Sequence, residues 1–148
     1  MFGQLVRNGR VEVTHTGSVA VVDAAGTLLA SHGDITRGYF IRSSAKPFQV
    51  RTMQNFGARL HGPQLAIAGS SHSGMPQHIA LVEEILAEDG LSEDDLKTPV
   101  AWPDNFSARD KYVREGAEGP RKFWHNCSGK HSGLLRACVA SGLPTETY

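Results

Sequence analysis

Polar and apolar residues near the N-terminus follow the pattern of β-strands. Residues 18–23 are rich in β-branched side chains, and a second apolar run occupies residues 27–31. The segment between them, residues 24–26, ends in a glycine, and two such runs joined by a short glycine-containing turn are typical of a β-hairpin. We therefore predict a hairpin over residues 18–31, preceded by a short alternating segment at residues 11–13.

Farther along the chain, apolar side chains recur at the three- and four-residue spacing of amphipathic helices. The first helix is predicted from about Ala45 to Phe56, with Gly57 as its stop and with Phe48, Met53 and Phe56 facing the core. The other predicted helices are a long one from Pro76 to about Asp89, a brief one after Ser92, a polar one near residues 107–114 and one from about Cys127 to Gly142, whereas residues 63–68 form an apolar run of ambiguous type.

Length and composition limit the functional classes. The chain has 148 residues, of which 40% are hydrophobic, and this is enough for one domain with a substantial core but short for two. Its 15 basic and 15 acidic residues cancel, and no segment concentrates either sign as a nucleic-acid-binding or membrane-binding surface does. We therefore predict a single domain over residues 1–148 with a small-molecule partner, and with no nucleic-acid or membrane partner.

The sequence also carries indications of cellular location. No apolar run is long enough to cross a bilayer, and the first residues lack the pattern of a secretory signal peptide. The two cysteines, Cys127 and Cys138, do not form a disulfide framework. We therefore expect a soluble, cytoplasmic protein.

Residues 42–49, with the sequence RSSAKPFQ, contain a candidate nucleophile and base. A short apolar segment at residues 39–41 leads into them, which predicts a strand-to-helix junction. Residues three apart lie on one face of a helix, so the Lys46 amine can reach the Ser43 hydroxyl. A lysine can take the proton of a serine only when burial or a neighbouring cation lowers its pKa from about 10.4. The alternative is that Ser43 is simply the N-cap of the helix and Lys46 a solvated residue of its first turn.

Residues 123–133, with the sequence FWHNCSGKHSG, form a second reactive cluster. Cys127 and Lys130 are again three apart and share one helix face if the helix begins near Cys127. Zinc could also be held by Cys127 with His125 and His131, but this spacing fits no familiar zinc motif. A buried structural cysteine is the alternative.

The remaining polar residues favour structural interpretations. The glycine-bounded cluster at residues 69–74 is typical of a turn. His72 and His78 are six residues apart, so we interpret them as a turn hydrogen-bonder and a helix-surface residue rather than as a ligand pair, and Cys138 as a core residue. No G-x-S-x-G elbow, phosphate-binding loop or dinucleotide fingerprint is present, which leaves Ser43 as the candidate nucleophile.

Three stretches in this order resemble a single family. They are RSSAKPFQ at residues 42–49, SHSG at residues 71–74 with His78 after it, and NCSGKHSG at residues 126–133. Together they resemble the asparaginase II family, the L-asparaginases of the Rhizobium etli type, from about residue 10 to residue 148. That family is similar in fold to serine-dependent glutaminases and β-lactamases, so the resemblance implies an α+β fold with helices packed on an antiparallel sheet.

The resemblance also implies roles for individual residues. It makes Ser43 the nucleophile and Lys46 its base, with Ser71 as a second active-site hydroxyl. The implied reaction is hydrolysis of the side-chain amide of L-asparagine, through an acyl-enzyme, to aspartate and ammonia. Arg42 and His131 adjoin these motifs and are candidates for binding the substrate carboxylate and carboxamide.

Zinc is the implied cofactor, with Cys127 and Lys130 as ligands. A lysine ligand has to be neutral to bind a metal. Complete members of that family are much longer, and their C-terminal half supplies a second lysine and another cysteine ligand. We therefore expect this chain to be the N-terminal, truncated part of such a fold, with a homodimer as a candidate assembly.

Two other functions are open from the sequence. One is a catalytically inactive remnant that binds a small ligand or needs a missing C-terminal half. The other is a β-lactam-binding acyl enzyme, which the absence of a recognisable K-T-G motif disfavours.

Overall fold

A computed structural model describes residues 2–148 and shows a mixed α+β fold, as predicted. The chain divides into two compact units, residues 1–40 and residues 41–148. Among the described residues, four strands come first and five α-helices follow: β1 (Gly3–Arg7), β2 (Arg10–His15), β3 (Val19–Val22), β4 (Leu28–His32), α1 (Lys46–Asn55), α2 (Gly62–Ala68), α3 (Pro76–Ala87), α4 (Phe106–Arg114) and α5 (Ser128–Ser141).

The strands of the N-terminal unit pair as two antiparallel hairpins rather than as one sheet. β1 pairs with β2, and β3 pairs with β4, which confirms the hairpin predicted over residues 18–31. The Asp23 carboxylate holds its turn by accepting hydrogen bonds from the backbone N–H groups of Ala25 (2.9 Å) and Thr27 (2.8 Å). Such local side-chain-to-backbone bonds are the reason that aspartate is common in turns.

The first hairpin was predicted only in its second strand. Its turn consists of Asn8 and Gly9, whose φ angles are 48° and 75°. Two positive φ angles are what a two-residue hairpin turn requires, and Asn-Gly is its strongest sequence signal. The signal for β1 was therefore present at residues 8 and 9.

The strand-to-helix junction predicted before Ser43 is wrong. Residues 39–41 have no regular secondary structure, and the chain enters α1 through a 3₁₀ turn at Arg42–Ala45. A strand needs a hydrogen-bonded neighbour, and among the described residues the only strand pairs are β1 with β2 and β3 with β4. Residues 39–41 pair with none of these strands, so the short apolar run does not form a strand.

The helical unit is organised around α5, which contacts α1, α2 and α3. Two glycines let it approach them closely. A Cβ added to Gly129 would lie 2.7 Å from the carbonyl oxygen of Ile67, and one added to Gly133 would lie 2.9 Å from the sulfur of Met53. The core around these helices consists of Met53, Ala58, Leu60, Ile67, Ala68, Ile79, Val82, Ile85, Leu86, Leu96, Phe123, Trp124, Leu135 and Ala137.

The buried face of α1 was predicted only in part. Met53 is fully buried, as expected, but Phe48 is 69% exposed and Phe56 is 46% exposed. A helix has 3.6 residues per turn, so Lys46 and Met53, almost two full turns apart, share the buried face. Phe48 lies about 140° around the helix from Met53. Phe56, predicted as the last residue of the helix, lies just past its end at Asn55.

The other predicted helices are confirmed with small shifts at their ends. The ambiguous run at residues 63–68 is α2, with Pro63 in its first turn. The brief helix after Ser92 is a 3₁₀ turn at Glu93–Asp95, capped by the Ser92 hydroxyl. Every helix among residues 2–148 is too short or too polar to cross a lipid bilayer.

Candidate active site

The two reactive clusters of the sequence meet at one pocket of about 220 Å³. One wall comes from the 3₁₀ turn and α1, where Ser43, Lys46 and Gln49 follow one another at a spacing of three residues. The other wall comes from the start of α5, again with a three-residue spacing. Residues at this spacing share a helix face, so each cluster presents its reactive side chains together. The pocket is lined by Arg42, Ser43, Lys46, Gln49, Cys127 and Lys130.

The backbone is strained immediately before Ser43. Arg42 has a φ of 48°, in the left-handed region that residues other than glycine rarely adopt. Such a conformation costs on the order of 1 kcal/mol or more, and residues held in it concentrate at functional sites. This strain independently marks the turn that carries Ser43.

Lys46 is buried, and its amine is hydrogen-bonded within the protein. Its side chain is only 4% exposed, and the Nζ atom donates to the backbone oxygen of Ser70 (2.7 Å) and to Ser71 Oγ (2.6 Å). The reading of Lys46 as a solvated residue is therefore wrong. Ser43 lies inside the 3₁₀ turn and the N-cap of α1 is Ala45, so Ser43 is not the N-cap of that helix.

Ser71 therefore joins the site through Lys46. Ser71 lies between the two clusters in the sequence. Its hydroxyl accepts a hydrogen bond from the Lys46 amine, which is predicted to be the base for Ser43. Among the side-chain hydrogen bonds of residues 2–148, none joins the Ser43 hydroxyl to the Lys46 amine, although the Lys46 backbone N–H donates to the Ser43 carbonyl oxygen. Ser71 also lines a larger pocket of about 460 Å³, whose polar walls include His72, His78 and Asp104.

The sequence as a whole matches one protein family. The chain matches the L-asparaginase II family over residues 4–148, almost its full length. The chain belongs to the L-asparaginase II family. Comparison with curated proteins gave no match. The family predicted from the three sequence stretches is thus confirmed, while the finer assignment to the Rhizobium etli type stays a prediction.

His131, the candidate for the substrate carboxamide in this family member, does not line the pocket with Ser43. Its Nδ1 atom lies 3.1 Å from the hydroxyl of Tyr148, which accepts the backbone N–H of Lys97 (2.8 Å). Burial lowers the pKa of His131 to about 4, and the neighbouring Lys130 and His125 act in the same direction. The ring is neutral near pH 7, and its role toward substrate stays a prediction.

Among residues 2–148, the set of donors for a zinc ion is incomplete. Cys127 and Lys130 line the same pocket, but a zinc site has three or four protein ligands. Among residues 2–148, no group of three or more histidine, cysteine or acidic residues could hold a metal ion. The Cys127 thiol donates to Asn126 Oδ1 (3.1 Å), and the His125 Nδ1 atom accepts the Cys127 N–H (3.1 Å). These residues do not by themselves fit zinc.

Sequence reasoning missed Gln49 and the buried partners of His72. Gln49 lines the pocket, and its three-residue spacing from Lys46 is a signal that could have found it. His72 is hydrogen-bonded in its turn, as predicted, through the Gly74 N–H (3.2 Å). Its other ring nitrogen reaches Ser128 Oγ (2.8 Å) across 56 residues of sequence, and no local rule predicts such a contact.

The pKa of His72 is unusually low for a histidine. Burial lowers its pKa to about 4, and the positive charges of His78, Lys46 and His125 add to this effect while Asp104 opposes it. An unfolded histidine has a pKa of about 6.5. Between these values the unfolded chain binds the extra proton and the folded protein does not, so the free energy of unfolding falls as the pH drops from about 6.5 to about 4.

A His72→Gln variant tests this pH dependence. Glutamine keeps an N–H donor near the position of the ring Nε2 but does not titrate. We expect urea unfolding to show a loss of stability between pH 6.5 and 4 that is smaller in His72→Gln than in the original protein, by up to about 2–3 kcal/mol. Equal losses in the two proteins would contradict a buried neutral His72.

Proposed function

We propose that the protein hydrolyses the side-chain amide of L-asparagine to L-aspartate and ammonia through an acyl-enzyme on Ser43. Membership of the L-asparaginase II family supports the reaction. The observation that carries the proposal is the pocket in which Ser43, Lys46 and Gln49 face Cys127 and Lys130. Every one of its chemically capable residues comes from the two sequence clusters that resemble the family.

The charge of the pocket favours an amino-acid substrate. Its lining includes the guanidinium of Arg42, and the described lining contains no carboxylate. A cavity lined by one sign of charge concentrates ligands of the opposite sign. We assign the α-carboxylate of asparagine to this basic wall, with Arg42 as its main partner because a guanidinium binds a carboxylate through two parallel hydrogen bonds.

In the proposed reaction, Ser43 Oγ attacks the amide carbon while the Lys46 amine takes the hydroxyl proton. The tetrahedral intermediate collapses as the C–N bond breaks, and the lysine ammonium protonates the leaving nitrogen, which departs as ammonia. Water then adds to the acyl-enzyme, losing a proton to Lys46, and the ester bond to Ser43 Oγ breaks to release aspartate as the Lys46 ammonium returns the proton to Ser43 Oγ. A positioned base of this kind contributes about 10²–10⁴-fold to the rate.

Ser71 is a second candidate for the attacking hydroxyl. It is the serine in direct contact with the Lys46 amine, at 2.6 Å, whereas Ser43 lies on the pocket wall without that bond. Nucleophile and base are expected within hydrogen-bond reach of each other, although such contacts are often looser without substrate. In our account Ser71 holds the amine toward the pocket and Ser43 forms the ester.

Ammonia release from L-asparagine tests the function. We expect release by the protein, a fall of about 10³-fold or more in Ser43→Ala, and a smaller loss in Ser71→Ala. Release that is insensitive to Ser43→Ala would overturn the nucleophile. If the folded original protein released no ammonia from L-asparagine, the proposed function would be overturned in favour of an inactive ligand-binding remnant.

Cys127 and Lys130 are proposed to contribute to zinc binding as two ligands of a larger set. We expect Cys127→Ala to reduce the zinc that copurifies with the protein and its affinity for added zinc, while Cys138→Ala leaves both unchanged. Cys138 is the matched control because it is the other half-buried free cysteine and lies outside the pocket. Metal analysis of the two variants makes the comparison, and an equal loss in both would contradict the assignment.

A further inference from the structure

We infer that His72 is a positioning residue, whose buried ring joins the loop of Ser71 to the start of α5 and so sets Lys46 and Ser71 against Cys127 and Lys130. Its catalytic consequence rests on the proposed function, whereas its mechanical consequence does not. The pair formed by His72 and Ser128 is called the buried clasp below.

The hydrogen bonds of the buried clasp define one arrangement of protons. The Gly74 N–H donates to His72 Nδ1 (3.2 Å), so this nitrogen carries no proton. The Ser128 hydroxyl donates to the backbone oxygen of Phe123 (2.8 Å), so Ser128 Oγ is free to accept. The remaining contact, 2.8 Å between His72 Nε2 and Ser128 Oγ, is therefore a donation from the histidine.

Burial makes this arrangement rigid. His72 is 6% exposed and Ser128 is fully buried, so neither group can replace its partner with water. A second bond, from the His72 backbone N–H to the Asn126 oxygen (3.0 Å), ties the same two segments together. Buried polar networks in which every member is satisfied rigidify their surroundings, and deleting one partner leaves an orphan that costs free energy.

Each end of the buried clasp adjoins a candidate site residue. His72 follows Ser71, whose hydroxyl contacts the Lys46 amine at 2.6 Å. Ser128 follows Cys127, which lines the pocket beside Ser43 and Lys130. A shift at the buried clasp therefore moves Ser71 relative to Lys46 and Cys127 relative to Ser43, and a misplacement of about 1 Å can cost 10²-fold in rate.

The competing view is that the buried clasp is ordinary core structure. In that case, loss of the buried clasp lowers the stability of the protein but leaves the geometry of the site unchanged in the molecules that remain folded. Thr98 offers a matched control, because it is similarly buried at 4% exposure and its hydroxyl donates to the Lys122 backbone oxygen (3.1 Å), outside the pocket. Thr98→Val thus removes a comparable buried hydrogen bond without touching the site.

The experiment compares Ser128→Ala, His72→Gln and Thr98→Val at a temperature where all are folded. Alkylation of Cys127 and Cys138 is followed separately by peptide mass mapping, and kcat and KM are measured with L-asparagine. We expect Ser128→Ala to raise the alkylation rate of Cys127 several-fold relative to Cys138 and to lower kcat by about 10- to 100-fold with little change in KM. His72→Gln keeps an N–H donor for Ser128. Its Cys127 alkylation rate relative to Cys138 and its kcat should therefore stay within a few-fold of those of the original protein.

The inference is overturned if Ser128→Ala matches Thr98→Val in both the Cys127 rate and kcat. It is also overturned if His72→Gln is as impaired as Ser128→Ala, because the donated hydrogen bond would then not be the relevant contact. Should the protein release no ammonia, the proposed function fails, and the alkylation ratio alone still decides whether the buried clasp fixes the Cys127 segment.

Discussion

Replacing Lys46 with methionine is expected to lower kcat for ammonia release by about 10²–10⁴-fold. Methionine fills a similar volume but can neither accept the proton of Ser43 nor hydrogen-bond to Ser71. Since Lys46 is only 4% exposed, methionine keeps the buried volume filled, while Ser70 O and Ser71 Oγ lose the hydrogen bonds that the amine donates. We expect the variant to be less stable but folded. Steady-state kinetics together with a thermal melt separate lost chemistry from lost structure.

Lys122→Met is the matched control for this variant. Lys122 also donates its amine to a backbone oxygen, that of Asp94 (2.9 Å), but it lies outside the pocket. We expect its kcat to stay within about twofold of the original protein, as for surface changes that touch no special feature. If Lys46→Met kept most of the activity while folded, Lys46 could not be the base.

The largest expected effect on stability is that of Gly129→Ala. The added Cβ would lie 2.7 Å from the carbonyl oxygen of Ile67 and 3.0 Å from its carbonyl carbon, and these backbone atoms cannot rotate away. Overpacking typically costs 1–3 kcal/mol, while alanine gains about 1 kcal/mol over glycine in a helix. We expect a net loss of up to about 2 kcal/mol in the free energy of unfolding, measured by urea denaturation.

Two other glycines serve as controls. A Cβ on Gly133 would meet the Met53 sulfur at 2.9 Å, and because a methionine side chain can move, Gly133→Ala should cost less than Gly129→Ala. Gly119 has no heavy atom within 4 Å of an added Cβ, so Gly119→Ala should be close to neutral. If Gly129→Ala were as stable as Gly119→Ala, the close approach of α5 to α2 would be contradicted.

Local spacing predicted the parts of the site that lie within single elements. Ser43 and Lys46, like Cys127 and Lys130, are three residues apart, and the helical period alone puts each pair on one face. The two pairs face each other because of the tertiary packing of α1 and α5. The sequence indicated this arrangement only through the family resemblance. The structure adds the pocket that they share.

The contacts that sequence reasoning could not reach span long distances along the chain. Lys46 and Ser71 are 25 residues apart, and His72 and Ser128 are 56 residues apart. The error at Phe48 has the same origin, because the face of α1 that is buried depends on where α5 packs and not on α1 alone. The overlooked strand β1 is different, since the Asn8-Gly9 turn was a local signal.

The central claim, an ester on Ser43, is tested most directly by covalent labelling with an electrophilic asparagine analogue and peptide mass mapping of the product. We predict one adduct per chain, on the peptide that carries Ser43, slowed by competing L-asparagine and strongly reduced in Lys46→Met. An adduct on Ser71 that persists in Ser43→Ala would contradict the account and make Ser71 the nucleophile.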